Sequence, residues 1–197
     1  MSFIFFTKAY SIKPLIYLDP GHGGLDFGAV IKKPRMVEKK YCLTTAHYTK
    51  RCLEKMGYRV SLTRSRDFFV PLKRRTFVAN RARAGIFVSL HFNSCPNKQA
   101  HGIEIYYYDG KNNRAGISRL LARCILNRMI FRTKAKPRGV KKGKYLVIRE
   151  TKMPSILIEG GFLTNISERN NVRKREYLMK IARGIAEGID RFVKRKK

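Results

Sequence analysis

Apolar and polar positions follow two rhythms along this 197-residue chain. Short apolar runs, rich in β-branched or aromatic residues and flanked by turn formers, predict strands at Leu15–Asp19, Tyr58–Thr63, Ile86–Leu90, Gly102–Tyr108, Tyr145–Ile148 and Ser155–Ile158. Between several of them the period changes. Glu38, Cys42, Ala46, Thr49, Leu53 and Met56 recur at helical spacing, and Gly57 supplies a C-terminal stop. Leu178, Ile181, Ile185, Ile189 and Phe192 form the clearest helical stripe of the chain. Strands alternating with helices predict an α/β fold: a single domain over 13–193 with a central, mostly parallel sheet, followed by a basic tail at 194–197. In such sheets, sites form beyond the carboxyl ends of the strands.

Charge adds a second layer. The chain has 44 Lys and Arg against 13 Asp and Glu, a formal +31, so its field attracts polyanions such as nucleic acid, anionic lipid or acidic wall polymers. No apolar run approaches the roughly 18 residues of a membrane span. Phe3-Ile4-Phe5-Phe6 lacks the preceding basic segment of a signal peptide, so none is readable. Cys42, Cys52, Cys95 and Cys124 form no close pair of the kind that holds zinc, and free thiols are expected. Free thiols suit a reducing compartment.

Three predicted strands end in candidate chemistry. The first runs into Asp19-Pro20-Gly21-His22-Gly23-Gly24, a turn that places an imidazole at the sheet edge. The second runs into His91 and Asn93, and the last into Glu159. Glu38 opens the first helix in line with its apolar stripe, where a buried carboxylate needs a partner. Alone, each has a plain structural explanation: a helix N-terminus welcomes Glu38, and either histidine could satisfy a turn or the core. As a set, two imidazoles and a carboxylate match a catalytic zinc shell with an open position. A second carboxylate beside that shell suits amide hydrolysis without a covalent intermediate.

The series IYLDPGHGGLDFGA, Glu38, SLTR, PLKRRTFVAN, FVSLHFN, GIEIYYY and ILIEGGFLTN resembles the zinc N-acetylmuramoyl-L-alanine amidases often called amidase type 3, from about Ile16 to Phe192. The resemblance implies a peptidoglycan hydrolase cleaving the amide between N-acetylmuramic acid and L-alanine. It makes His22, Glu38 and His91 the Zn2+ ligands and Glu159 the catalytic base, on a sheet of about six strands. Arg64 and Asn80 match motif positions and are expected to support the site. Peptidoglycan or muropeptides are the implied partners, acted on by a monomer in the bacterial cell envelope or periplasm. Phe92 stands where relatives often carry a small residue, so it is expected to narrow or line the cleft. Only Ser94 to His101 follow Asn93 before the next strand, too few for the regulatory helix found there in some relatives, so the cleft is expected to be open and the enzyme active without an activator protein; were it inactive alone, the basic stretch 132–144 would be the first place to look for control.

Other residues fit plainer roles. His47 reads as a surface residue on the first helix, and His101 as part of a turn. Walker and dinucleotide motifs are absent, as is the Ser-x-x-Lys nucleophile. Two alternatives compete: a basic nucleic-acid-binding module, drawing on the charge and the ten Tyr and twelve Phe, or another zinc peptidase or deacylase on the same scaffold.

Overall fold

The computed structural model describes residues 13–33, 35–110 and 114–195. The Phe3–Phe6 patch and the last two lysines lie outside them. Strands β1 (Ile16–Pro20), β4 (Val60–Leu62), β5 (Ile86–Asn93), β6 (Ile103–Tyr107), β7 (Pro137–Lys142) and β8 (Ser155–Phe162) form one sheet in the order β4-β1-β5-β8-β6-β7. All neighbours run parallel except β6 and β8. A small hairpin, β2 (Val30–Ile31) and β3 (Met36–Val37), leads into helix α1 (Glu38–Lys55). The other helices are α2 (Leu72–Arg81), α3 (Arg114–Thr133), α4 (Leu146–Arg149), α5 (Ile166–Val172) and α6 (Arg175–Arg195).

The predicted single α/β layer and the count of six strands agree with this sheet, but one member differs. Tyr145–Ile148 is not a strand. Leu146–Arg149 forms a helical turn whose Val147 and Ile148 plug a small core on one face. A short apolar run satisfies either element, and here the packing chose helix. The sixth strand is β7, in the basic stretch, bearing Pro137, Arg138, Lys141 and Lys142. It lies at the edge of the sheet, where proline and cations are tolerated and discourage pairing with other chains. The pattern reading also places no element at 114–133, where α3 lies.

Strand alternation sends side chains to two unequal faces. Ile86, Val88, Leu90 and Phe92 of β5 point to the face covered by α1, α3 and α6, and join the main core. Phe92 therefore does not line the cleft: it is 2% exposed and its ring meets Tyr41 edge-on at 6.4 Å. Phe87, on the opposite face, joins the smaller core beneath α2 and α4. Helices α3 and α6 are held close by glycines: a Cβ on Gly188 would lie 2.4 Å from Ile125 Cα, and one on Gly184 2.7 Å from Met129 Cα. Terminal residues Lys194 and Arg195 continue α6, with Lys194 paired to Asp190 at 2.6 Å. All four cysteines are free thiols. No helix among the described residues is long and apolar enough to cross a membrane.

Candidate metal centre and catalytic carboxylate

The turn after β1 brings His22 over the carboxyl edge of the sheet, at a φ of 59°. That left-handed conformation is unfavourable for a residue with a side chain, and such strain persists only where surroundings enforce it. Here Arg75 does so, donating to Pro20 O at 2.7 Å and His22 O at 2.8 Å. The same guanidinium donates to Asp19 Oδ1 at 2.8 Å, with both side chains buried. Asp19 also accepts from Thr63 at 2.6 Å and Ser89 at 2.8 Å, so its charge is matched and both of its oxygens are hydrogen-bonded. Arg64, 1% exposed, donates to Pro20 O, Gly21 O and Lys39 O, tying the turn to the first residues of α1. Two buried arginines thus hold one loop. The support expected of Arg64 is present, while Arg75 and Asp19 are missed by sequence reasoning although they lie inside the quoted motifs. Asn80 braces a more distant segment, bonding Glu150 O and Lys152 N.

His22, Glu38 and His91 converge, with one ligand atom from each lying within 4.8 Å of the others. Glu38 Oε1 lies 3.0 Å from His22 Nε2 and 3.0 Å from His91 Nδ1, and accepts from the Phe92 amide at 3.1 Å. Its other oxygen accepts from the Ala29 amide at 2.9 Å. The first turn of α1 adds the favourable field of its dipole. The rings of His22 and His91 meet edge to face at 4.8 Å. Close approach requires glycine: a Cβ on Gly21 would lie 2.2 Å from His91, and one on Gly28 2.6 Å from both Glu38 and His22.

Behind His22, Asp26 Oδ1 lies 2.8 Å from Nδ1, fixing the ring so that Nε2 faces inward. Burial works against charge on His22, but hydrogen bonding and the charges of Glu38 and Asp26 outweigh it and raise its pKa. Burial likewise opposes ionisation of Glu38, yet the two imidazoles hold its carboxyl well below the usual range. Two imidazole nitrogens and a carboxylate oxygen are the donor set that divalent zinc favours, so the residues fit such an ion.

Glu159 stands one strand away, paired in register with His91 of β5 and with Glu104 of β6. Burial, then the negative charges of Glu38 and Glu104, push its carboxyl well above the usual range. Oε2 is buried and has no hydrogen-bond partner. An unpartnered buried carboxylate oxygen is costly, which makes Glu159 a candidate functional group. Beside the triad opens a cavity of about 420 Å³ lined by Phe69, Val70, Leu72, Tyr145, Leu146 and Val147 among others. The remaining histidines lie apart: His47 bonds Ser65 O at 3.1 Å, and His101 bonds Gln99 O at 2.8 Å in the turn before β6. No helix occupies 94–102.

The class these features define is an amidohydrolase on an α/β fold, with a candidate metal centre and a buried carboxyl at one sheet edge. The family description N-acetylmuramoyl-L-alanine amidase matches residues 16–191, and the chain belongs to that family of peptidoglycan hydrolases. It is 36% identical over 180 residues to the uncharacterized protein YqiI of Bacillus subtilis, covering 90% of this chain and 84% of that one. It is 34% identical to the N-acetylmuramoyl-L-alanine amidase LytC of Bacillus subtilis, covering 88% of this chain but 34% of that longer protein. The crystal structure of an N-acetylmuramoyl-L-alanine amidase from Clostridium difficile 630 superposes with a TM-score of 0.90 at 33% identity, covering 95% of this chain and all of that one (100%).

Proposed function

We propose that this chain hydrolyses the amide between N-acetylmuramic acid and L-alanine in peptidoglycan, with zinc held by His22, Glu38 and His91 and with Glu159 as general base. The observation that carries the reading is the convergence of two imidazoles and Glu38 beside a buried, unpartnered carboxylate. When bound, zinc lowers the pKa of a water to about 7 and polarises the scissile carbonyl. Glu159 takes the proton from the attacking water and hands it to the departing nitrogen, tasks suited to a carboxyl whose pKa burial and the nearby charges of Glu38 and Glu104 raise well above the ordinary value. Asp26 keeps His22 in the ligating orientation, and Arg75 and Arg64 hold the turn that carries it. The chain acts as a monomer at the cell envelope, where its positive field draws it to anionic polymers.

The test is product analysis. Purified peptidoglycan incubated with the zinc-loaded protein releases stem peptides with a free L-alanine amino terminus, identified by mass spectrometry. A chelator stops the reaction and added zinc restores it. His22→Ala and His91→Ala each lose the ion, measured as bound zinc per chain. Cleavage at another bond, or full zinc occupancy in both variants, overturns the assignment.

A further inference from the structure

The two sides of the triad differ in chemistry. Toward α2 and α4 lies the apolar cavity. In the other direction, across β8 to β6 and β7, the sheet face is polar and no long helix covers it among the described residues. Glu104 sits there, 3% exposed at its side chain, and four donors surround it. Asn93 Nδ2 and Tyr106 Oη donate to Oε1 at 2.9 and 2.8 Å, while Arg138 Nε and Lys141 Nζ donate to Oε2 at 2.8 and 2.6 Å. One buried carboxylate thus faces two cations whose side chains are 31% and 38% exposed. The cluster has one more positive than negative charge, and the surplus lies on the solvent side.

We propose that Arg138 and Lys141 form a subsite for a carboxylate on the peptide half of the substrate, with the acyl half lying over the apolar cavity. The inference rests on the amidase reading, and the route of the proton fixes the direction. Glu159 must reach the departing nitrogen, and Glu159 stands between His91 and Glu104. The nitrogen therefore leaves toward β6, carrying the peptide over Arg138 and Lys141. The Arg138 guanidinium donates through Nε to Glu104 and through Nη1 to His101 O at 3.4 Å, which leaves Nη2 for a ligand, and Lys141 has two further N–H groups. Glu104 places both cations and lowers their combined charge, so that the subsite attracts a carboxylate without competing for Glu159.

Two muramyl peptides test this, one with a free carboxylate on the residue after the alanine and one with that group amidated. The unmodified enzyme favours the free acid in kcat/KM by about tenfold, the worth of one charge-assisted hydrogen bond. Lys141→Gln, which leaves the Arg138–Glu104 pair in place, brings the ratio toward one through KM, and Lys141→Arg restores it. A shift confined to Glu159 chemistry moves both substrates together and leaves the ratio intact. Equal rates on the two substrates in the unmodified enzyme, or an unchanged ratio in Lys141→Gln, overturn the subsite. If neither substrate is cleaved, the amidase reading fails. Calorimetric binding of the two free stem peptides then decides the subsite separately, with equal affinities overturning it.

Discussion

Behind the sheet, α1, α3 and α6 bury a continuous apolar core reaching from Ile16 to Phe192, and glycines let α3 and α6 almost touch. In front, α2 and the single turn of α4 cover only a small cluster around Phe87 and Leu157. The rest of the front holds charge: Asp19 with Arg75, Glu38 with two histidines, Glu159, and Glu104 with Arg138 and Lys141. Buried charges contribute little net stability after desolvation, even when well paired. The difference teaches a division of labour. The back face supplies the hydrophobic free energy, and the front tolerates strain, an orphaned carboxylate oxygen and a cavity because stability comes from elsewhere.

The sharpest way to break this division is to alter a front residue and ask whether stability moves. Glu159→Gln removes a charge but almost no volume, from a group with no hydrogen bond at Oε2. Turnover should fall by about 100- to 10,000-fold, the range for loss of a general base. Zinc content should stay the same and the melting temperature should hold or rise, because a buried carboxyl whose ionisation burial and the charges of Glu38 and Glu104 oppose is replaced by a neutral amide. A variant with near-normal turnover would place the base elsewhere. A variant that is inactive and also unfolded would deny the separation of faces.

The converse change belongs at the back. Gly188→Ala improves intrinsic helix propensity by about 1 kcal/mol. It also sets a Cβ 2.4 Å from Ile125 Cα, which is backbone and must shift. Overpacking of this kind costs about 1–3 kcal/mol, so the net expectation is a melting temperature lower by a few degrees. Zinc affinity and kcat should be unchanged, since neither helix reaches the triad. A higher melting temperature, or a loss of zinc with the fold intact, would show that the faces are coupled.

The same division explains what could be read from the sequence. Back-face periodicity was legible wherever it was regular: the stripe from Leu178 to Phe192 is α6, and Glu38 to Met56 marks α1 and its stop. Helix α3 escaped because its apolar residues are spread around much of the helix, with Phe131 exposed and arginines interleaved, so no single stripe stands out. Strand β7 escaped because an edge strand needs no apolar alternation. At the site, His22, Glu38, His91 and Glu159 were legible because each falls in a quoted motif at a strand end or helix start, and all four lie together. Phe92 was misread as lining the cleft because the strand continues through it, and alternation turns its ring to the back. Asp19, Asp26, Arg75 and Glu104 were not singled out, since a second layer is defined by which residue reaches which, and sequence order carries no such distance.

The smallest effect separates two carboxylates in the same chemical situation on opposite faces. Glu104, in front, and Glu187, behind, are each held by two cations. Burial raises both pKa values, but hydrogen bonds from Lys141, Arg138 and Tyr106 to Glu104, and from Arg132 and Arg128 to Glu187, outweigh it, so both are lowered in the fold. A depressed folded pKa contributes stability above the unfolded value of about 4.3, and that contribution is lost as pH falls through the folded pKa. Glu104→Gln should therefore lower the urea midpoint at pH 7, and the gap to the unmodified protein should narrow as pH falls below the unfolded value and close only once it has passed the lowered folded pKa of Glu104. Metal-free protein is the right sample, because acid also strips ligands from zinc. Glu187→Gln should behave the same way with a smaller gap, since its side chain is 20% exposed against 3% for Glu104 and solvent screens its pairs. A gap for Glu104→Gln that persists unchanged at low pH would mean that its hydrogen bonds matter and its charge does not. A larger gap for Glu187→Gln would mean that the back layer depends on ion pairing as much as the front, and the contrast between the faces would have to be redrawn.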